Sequence, residues 1–148
     1  MSKYTTNEFS FDLPERLHDR SLNIFSLAND GPSDFTIVIS RSPVAAGKTL
    51  EEQMTLLTSE LGRQLTGFRL LDQIKRTLGG NIEAEEIRYT YKQNGITLIQ
   101  RQAGMLLPVK GETGLLWVAI TATLGPKATS AWHQSFDAML ESLSFKKH

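Results

Sequence analysis

Apolar side chains recur along the chain with a period of two residues in some segments and of about 3.6 residues in others. The period of two is clearest in residues 21–41, SLNIFSLANDGPSDFTIVISR. The stretch predicts two strands joined by a turn at residues 29–33, and we expect this pair to lie at the centre of the fold. Alternation gives each strand two faces: Leu22, Ile24 and Ser26 oppose Asn23, Phe25 and Leu27, and Thr36, Val38 and Ser40 oppose Phe35, Ile37 and Ile39. Both faces of this pair carry apolar side chains that must be shielded from water. We expect the chain's own helices to shield one face and a partner to shield the other.

A period of two also predicts the other strands. They lie at residues 3–13, 68–78, 86–92, 96–107 and 115–124. The strand at 68–78 is expected to bend near Asp72, and Asn94-Gly95 predicts a tight hairpin between the two strands that follow. In the strand at 96–107, Leu98, Gln100 and Gln102 share one face. The strand at 115–124 is the most apolar of all and is predicted to be central.

A period near 3.6 predicts two amphipathic helices. The first runs from Thr49 to about Leu65, with Thr49 and Glu52 forming a capping box, and Ser130 is predicted to cap the second. Their apolar stripes are Leu50, Met54, Leu57, Leu61 and Leu65 in the first helix, and Trp132, Phe136, Met139, Leu140 and Leu143 in the second. The segments at residues 14–20 and 42–48 are expected to be connections. The order β-β-β-α-β-β-β-β-α predicts one α+β domain over residues 1–148, an antiparallel sheet with the helices packed on it.

The composition narrows the classes of function. The 148 residues include 16 Lys and Arg against 16 Asp and Glu, without a basic run, which argues against a nucleic-acid partner. There is no cysteine, so disulfides and thiol nucleophiles are excluded. No stretch has the length of a signal peptide's apolar core or of a membrane span. We therefore expect a soluble, cytoplasmic protein that needs no cofactor.

Catalytic and metal-binding patterns are missing from the sequence. The three histidines, His18, His133 and His148, have no second ligand at metal spacing and are interpreted as surface residues. The acidic pairs Glu51-Glu52 and Glu85-Glu86 are interpreted as solvated faces and helix caps. No catalytic residue and no metal ligand is predicted, and only carboxylates that meet on folding stay open as an alternative.

One segment imitates the end of a phosphate-binding loop. Ala46-Gly47-Lys48-Thr49 follows a strand and opens a helix. The full pattern needs a glycine five positions before Gly47, where this chain has Ser42, and the neighbouring Pro43 has no amide hydrogen to offer a phosphate. Helix capping by Thr49 accounts for the segment instead.

Four segments carry a resemblance to a known family: DRSLNIFSL (residues 19–27), DFTIVISR (34–41), GRQLTGF (62–68) and LIQRQ (98–102). With them the sequence resembles the DUF1795 family related to DcrB and, within it, the Eag chaperones encoded beside type VI secretion effectors. The match extends over nearly the whole chain and includes no catalytic signature. The resemblance implies a Mog1/PsbP-like sandwich and a homodimer with a concave apolar surface. It also implies binding of the N-terminal transmembrane helices of Rhs or other PAAR-containing effectors before export.

The resemblance further implies groove positions on both strands of residues 21–41 and at Gln102, and alternation along the strands adds their neighbours. The complete set of predicted effector-helix-binding residues is Leu22, Ile24, Thr36, Val38, Ser40, Leu98, Gln100 and Gln102. An amide such as that of Gln102 can hydrogen-bond small-residue and backbone groups of a bound helix. Leu57 stands where other members of the family can carry a polar residue, which puts a polar contact at that helical turn in doubt.

The sequence is compatible with three functional hypotheses of different kinds. The first is a chaperone that shields the transmembrane helices of a type VI secretion effector, without a cofactor or ATP. The second is a generic protein-interaction module of the same fold that does not handle membrane segments. The third is an enzyme or small-ligand protein, which needs a polar constellation that the sequence lacks. The third hypothesis uses the same concavity. The structural alternative for the site residues is that Leu22, Ile24 and Val38 are plain core beneath a helix and that Gln102 is a strand residue facing water.

Overall fold

The structure is a computed structural model that describes residues 2–5, 8–14, 21–27, 34–109 and 114–145. Its elements are β1 (Ser2–Thr5), β2 (Ser10–Leu13), β3 (Leu22–Ser26), β4 (Phe35–Val44), α1 (Leu50–Gln64), β5 (Arg69–Leu78), β6 (Ile82–Gln93), β7 (Ile96–Pro108), β8 (Leu115–Leu124) and α2 (Ser130–Glu141). The predicted α+β class is confirmed. The predicted turn at residues 29–33 and most of the connection at 14–20 lie outside the described residues.

The N-terminal segment differs from its prediction. A single strand over residues 3–13 is wrong, because β1 and β2 form a separate antiparallel pair in which Ser2 lies opposite Leu13. The chain reverses between Thr5 and Ser10 without a glycine or a proline, so the sequence gives no strong turn signal there.

The six strands from β3 to β8 form one antiparallel sheet in the order β3-β4-β8-β7-β6-β5. The central position predicted for residues 115–124 is confirmed, because β8 lies inside the sheet. The pair β3 and β4 forms as predicted, but its expected central place is wrong, since β3 is an edge strand. The loop predicted from Ser42 is also wrong at its start, because β4 continues to Val44 opposite Leu115.

The two helices cover opposite faces of this sheet, which the sequence could not predict. On one face α2 buries Phe136 and Leu140, and Trp132 stacks on Phe35 with ring centroids 4.8 Å apart. On the other face α1 lies over β6 and β7 and buries Met54 against Ile87. All ten residues of the two predicted apolar stripes take part in these two clusters.

The predicted turn and bend are both present. Asn94 and Gly95 have φ of 52° and 77°, the left-handed backbone that a tight two-residue hairpin requires at both positions. Between Leu70 and Asp72 the pairing of β5 with β6 shifts by one residue, where a bend is predicted.

The helix caps agree with the sequence in one case and differ in the other. Thr49 caps α1 as predicted: its Oγ1 accepts a hydrogen bond from the Glu52 amide at 3.1 Å, and its hydroxyl donates to Glu52 Oε1 at 3.0 Å. The cap predicted at Ser130 is wrong, because Ser130 is already helical and Thr129 is the N-cap residue. The side chain of Thr129 makes no capping hydrogen bond.

A cluster of charged side chains lies under α2. Glu86 and Arg101 are 0% and 1% exposed, and the Arg101 guanidinium donates to both carboxylate oxygens of Glu86 at 2.9 and 3.1 Å. Arg76 and Arg88 also donate to Glu86, at 2.9 and 2.6 Å. The interpretation of Glu85-Glu86 as a solvated face is therefore wrong. The alternation of β6 places Glu86 on the face that α2 covers, and three arginines compensate its charge.

The same cluster fastens α2 to the sheet. Asp137 of α2 accepts hydrogen bonds from Arg76 at 2.9 Å and from Arg101 at 2.5 Å. Arg101 also donates to the backbone carbonyl of His133 at 3.1 Å. His133 is thus a half-buried residue of the interface between α2 and the sheet, whereas the sequence suggests an ordinary surface histidine.

Candidate functional site

The described residues cover only part of the sheet face that carries α1. Strand pairing aligns three rows of side chains across β3, β4, β8 and β7 on this face. The rows are Leu22, Ser40, Ala119 and Gly104; Ile24, Val38, Thr121 and Gln102; and Ser26, Thr36, Thr123 and Gln100. We call the part of this face formed by these rows the open face. It is a continuous surface that begins at the edge strand and ends beside α1.

The edge of the open face is strongly exposed and apolar. Leu22 and Ile24 of β3 are 55% and 64% exposed, although they are side chains that proteins usually bury. Behind them, Val38 is half-buried and Ala119 is buried. On the opposite face of β3, Phe25 is also 55% exposed, so this short strand presents large exposed apolar side chains on both of its faces.

The open face has about the width of one helix. Neighbouring strands lie about 4.8 Å apart, so β3, β4 and β8 span about 10 Å, which is close to the diameter of an α-helix. The three rows cover Thr36 to Ser40 of β4, about 13 Å along the strand, which is the length of about nine residues of an α-helix. A six-stranded sheet thus has room for two helices on one face, and α1 fills one of the two places.

A hydrogen-bonded polar group lies where the open face meets the cluster under α1. The Tyr89 hydroxyl donates to Gln100 Oε1 at 2.5 Å and to Gln102 Oε1 at 3.1 Å, and Gln100 Nε2 donates to Thr123 Oγ1 at 2.8 Å. Tyr89 itself is 1% exposed, and its ring packs on Phe68. Burial, together with the neighbouring Tyr91, raises the pKa of Tyr89 far above its ordinary value, so the hydroxyl stays protonated and can donate.

Trp117 packs against Gly104, which belongs to the first of the three rows. Its indole ring lies against the Gly104 Cα, where any Cβ atom would overlap the ring. The ring is almost fully buried and belongs to the cluster under α1. Gly104 is therefore required for the close approach of Trp117.

The structure brings the eight predicted site residues onto one face. Leu22, Ile24, Thr36, Val38, Ser40, Gln100 and Gln102 lie within the three rows. Leu98 lies two residues before Gln100 on β7 and packs with Tyr91 in the cluster under α1. The sequence prediction missed Thr121, Thr123 and Tyr89. Alternation along β8 could have found the two threonines once β8 was placed between β4 and β7. Leu57, where a polar contact was in doubt, packs in the apolar cluster under α1.

Other features of the described residues offer no second site of comparable shape. A cleft of about 480 Å³ lies between the start of α1 and strands β5 and β6, and its walls carry mixed charges such as Glu51, Lys75 and Glu83. No group of three potential metal-binding side chains occurs within the described ranges. His18 and His148 fall outside those ranges. Neither helix in the described part of the chain combines the length and the apolar character needed to cross a bilayer.

Known proteins resemble this chain over most of its length. The Pseudomonas aeruginosa protein named Effector EagT6 is 24% identical over 143 residues, which cover 95% of this chain and 96% of the relative. The crystal structure of PA94, a P. aeruginosa protein of unknown function, has a TM-score of 0.75 at 21% identity and covers 100% of this chain and 99% of its own. LpqN, involved in cell envelope biogenesis of Mycobacterium tuberculosis, has a TM-score of 0.63 at 17% identity, with 89% and 88% covered. Both structures show the same fold.

A model of the DcrB family matches residues 8–142. This range includes the whole six-stranded sheet, both helices and every residue of the open face. The chain therefore belongs to the DcrB family, as its sequence segments predict.

Proposed function

We propose that this protein is a chaperone associated with a type VI secretion effector, and that its open face receives an apolar N-terminal helix of that effector before export. The observation that carries the proposal is a sheet face that the described residues cover only in part, on which Leu22 and Ile24 are more than half exposed beside a surface of helical width. Exposed apolar patches of this kind mark interaction sites. Membership of the DcrB family and the similarity to Effector EagT6 support the association with an effector.

The proposed action is physical rather than chemical. A transmembrane helix in water exposes about 20 apolar residues, and at roughly 25 cal/mol per Å² this favours aggregation or early insertion into a membrane. The open face offers such a helix apolar contacts at Leu22, Ile24 and Val38. Ser40, Thr121 and Gln102 lie beside them. Binding of this kind assigns no catalytic residue and requires no cofactor.

Each open face has room for one helix, so the number of effector helices bound in a complex depends on the number of chaperone protomers in it. A two-fold symmetric homodimer would present two identical open faces. We propose this state for a PAAR- or Rhs-type effector with two N-terminal helices. The mass of the purified complex measures it directly.

The test uses two substitutions on one strand. Leu22 and Phe25 are equally exposed in β3 but point to opposite faces. We expect Leu22→Asp to abolish co-purification of a co-expressed N-terminal effector segment, because a carboxylate would have to be buried against an apolar helix. The matched control Phe25→Asp should retain the segment. Circular dichroism of both variants checks that each stays folded.

Two outcomes would contradict the proposal. The first is equal loss of binding in both folded variants, which would separate binding from the open face. The second is retention of the effector segment after its apolar helices are deleted. That result would favour the generic interaction module, which does not handle membrane segments.

A further inference from the structure

Two neighbouring glutamates of β6 are buried, but only one of them has a positive charge beside it. Glu86 faces α2 and accepts hydrogen bonds from three arginines. Glu85 faces the other side of the sheet and is 9% exposed, and its Oε1 accepts a hydrogen bond from the neutral side-chain amide of Gln73. A buried carboxylate is costly without a positive partner, so the charge of Glu85 is left uncompensated by the described residues.

The basic side chains nearest to Glu85 along β5 do not supply this charge. Lys75 lies directly opposite Glu85 in the pairing of β5 with β6, but no ion pair joins the two within the described part of the chain. Lys75 is exposed, so its ammonium group stays in water. The guanidinium of Arg76 lies on the α2 side, where it pairs with Glu86 and Asp137. A cation for Glu85 therefore has to come from outside the chain.

Glu85 lines the cleft of about 480 Å³ between the start of α1 and strands β5 and β6. No described residue donates to its second carboxylate oxygen. Because the described residues include no buried side-chain nitrogen or oxygen without a partner, this oxygen is reached by solvent. Glu51 of α1 and Glu83 of β6 add two more carboxylates to the walls, and neither is paired with another described residue. The cleft thus joins a buried anionic group to an acidic rim.

The size of the cleft and the arrangement of its walls favour an organic cation over a metal ion. A volume of about 480 Å³ is typical of sites for small organic molecules. No three potential metal ligands come together in the part of the chain that the structure describes. An ammonium group offers three hydrogen-bond donors to carboxylate oxygens. Leu50 and Thr77 of the walls can contact the methylene groups that carry it.

We propose that this cleft binds a primary ammonium group on a flexible carbon chain, with Glu85 as the residue that receives it. A second cationic group of the same ligand lies at the rim, near Glu51 and Glu83. Two sources share this chemistry: a free aliphatic polyamine and the lysine side chains of a partner protein. The site goes beyond the proposed function, because it lies at β5 and β6, away from β3 and its exposed apolar residues, and its occupation does not require an effector helix.

The experiment titrates the full-length protein at low ionic strength with putrescine and, separately, with the peptide acetyl-Lys-Gly-Lys-amide, and measures binding by calorimetry. We expect wild-type protein to bind at least one of these probes and Glu85→Gln to bind it roughly tenfold more weakly or worse, because a charged hydrogen-bond acceptor is lost. The matched control is Glu141→Gln, which removes the same charge from an exposed position at the end of α2. It should change the affinity by less than about twofold.

The two probes distinguish the sources. Binding of putrescine supports the site with a free polyamine as its ligand, and binding of the peptide alone supports it with lysines of a partner protein. Equal weakening in Glu85→Gln and Glu141→Gln would mean attraction by net charge alone and would overturn the proposal. The absence of binding for both probes would overturn it too, while the proposed function of the open face stands.

A stability measurement tests the same site without relying on affinity. Without a ligand, Glu85→Gln should keep or raise the urea midpoint, because glutamine still offers Gln73 an acceptor and removes an uncompensated charge. Saturating putrescine or peptide, whichever binds, should raise the midpoint of the wild-type protein but not that of Glu85→Gln. If Glu85→Gln loses as much stability as Glu86→Gln, the protein already compensates the charge of Glu85 and the proposal fails.

Discussion

Glu86 is the residue on which the attachment of α2 to the sheet depends. It is fully buried and accepts hydrogen bonds from three guanidinium groups, those of Arg76, Arg88 and Arg101. Arg101 in turn connects it to Asp137 on α2. A buried charge pair contributes little when it is compared with an apolar pair, but the loss of one partner leaves the other charge buried and uncompensated.

We therefore expect Glu86→Gln to lower the free energy of unfolding by roughly 3 kcal/mol or more. The glutamine fills the same space but removes the charge that the three arginines face. Urea unfolding measures the change. Glu83→Gln on the same strand is the matched control, because Glu83 is exposed, and it should change stability by less than about 0.5 kcal/mol. Equal stability of the two variants would show that the charge of Glu86 is not needed.

At the scale of elements, the two helices start in different ways. Thr49 makes a reciprocal cap with Glu52 at the start of α1, whereas Thr129 stands at the start of α2 without a side-chain capping bond. α2 is held instead by its buried face, with Phe136 and Leu140, and by Asp137. Threonine thus stands at the N-cap of both helices, but only Thr49 stabilises its helix through a side-chain hydrogen bond.

This difference predicts the effect of removing each threonine. Thr49→Ala should destabilise the protein by about 1 kcal/mol, because one amide of the first turn of α1 loses its acceptor. Thr129→Ala should have almost no effect, because no such bond exists there. The urea midpoints of the two variants give the comparison. Equal losses in both would mean that the Thr49 bond does not stabilise α1.

At the scale of the whole molecule, stability should depend on pH through the charged cluster under α2. Burial by itself would raise the pKa of Glu86 and of Asp137, but hydrogen bonds and charge from the arginines outweigh it and lower both pKa values in the folded protein. Burial and the charge of Arg101 lower the pKa of His133. All three groups therefore bind protons more readily in the unfolded chain than in the folded protein.

The sign of the pH dependence follows from these shifts. Stability should begin to fall as the pH drops below about 6.5, the ordinary pKa of histidine, because His133 then takes up a proton only on unfolding. It should fall further below the ordinary carboxyl values of 4.5 and 3.8, until Glu86 and Asp137 are protonated in the folded state as well. Urea unfolding at a series of pH values measures this.

The variant Asp137→Asn isolates the contribution of one carboxylate to the pH dependence of stability. The variant should be less stable than the wild-type protein at pH 7, and the gap should close as the pH falls through the lowered pKa of Asp137. A gap of constant size across this range would contradict the assigned role of the Asp137 charge.

What the sequence determined by itself is local. Alternation along single strands, the helical stripes, the Thr49 cap and the Asn94-Gly95 hairpin each depend on residues close together in the chain, and the structure confirms them. The family was also readable from four short segments. Because alternation is a local pattern, it also placed Leu22 and Ile24 on one face of their strand, and Leu98, Gln100 and Gln102 on one face of theirs.

Only the tertiary structure decided the order of the strands and the face to which each helix goes. These depend on pairings between residues far apart in sequence, and a pattern of period two is the same in an edge strand and in a central one. The edge position of β3 leaves Leu22 and Ile24 exposed, and the insertion of β8 between β4 and β7 brings Gln102 into their surface. Glu86 became a buried anchor because α2 covers its face of β6 and three arginines surround it there. The open face likewise arises because α1 lies over β6 and β7, and the described residues leave the neighbouring strands on that side of the sheet without a second helix.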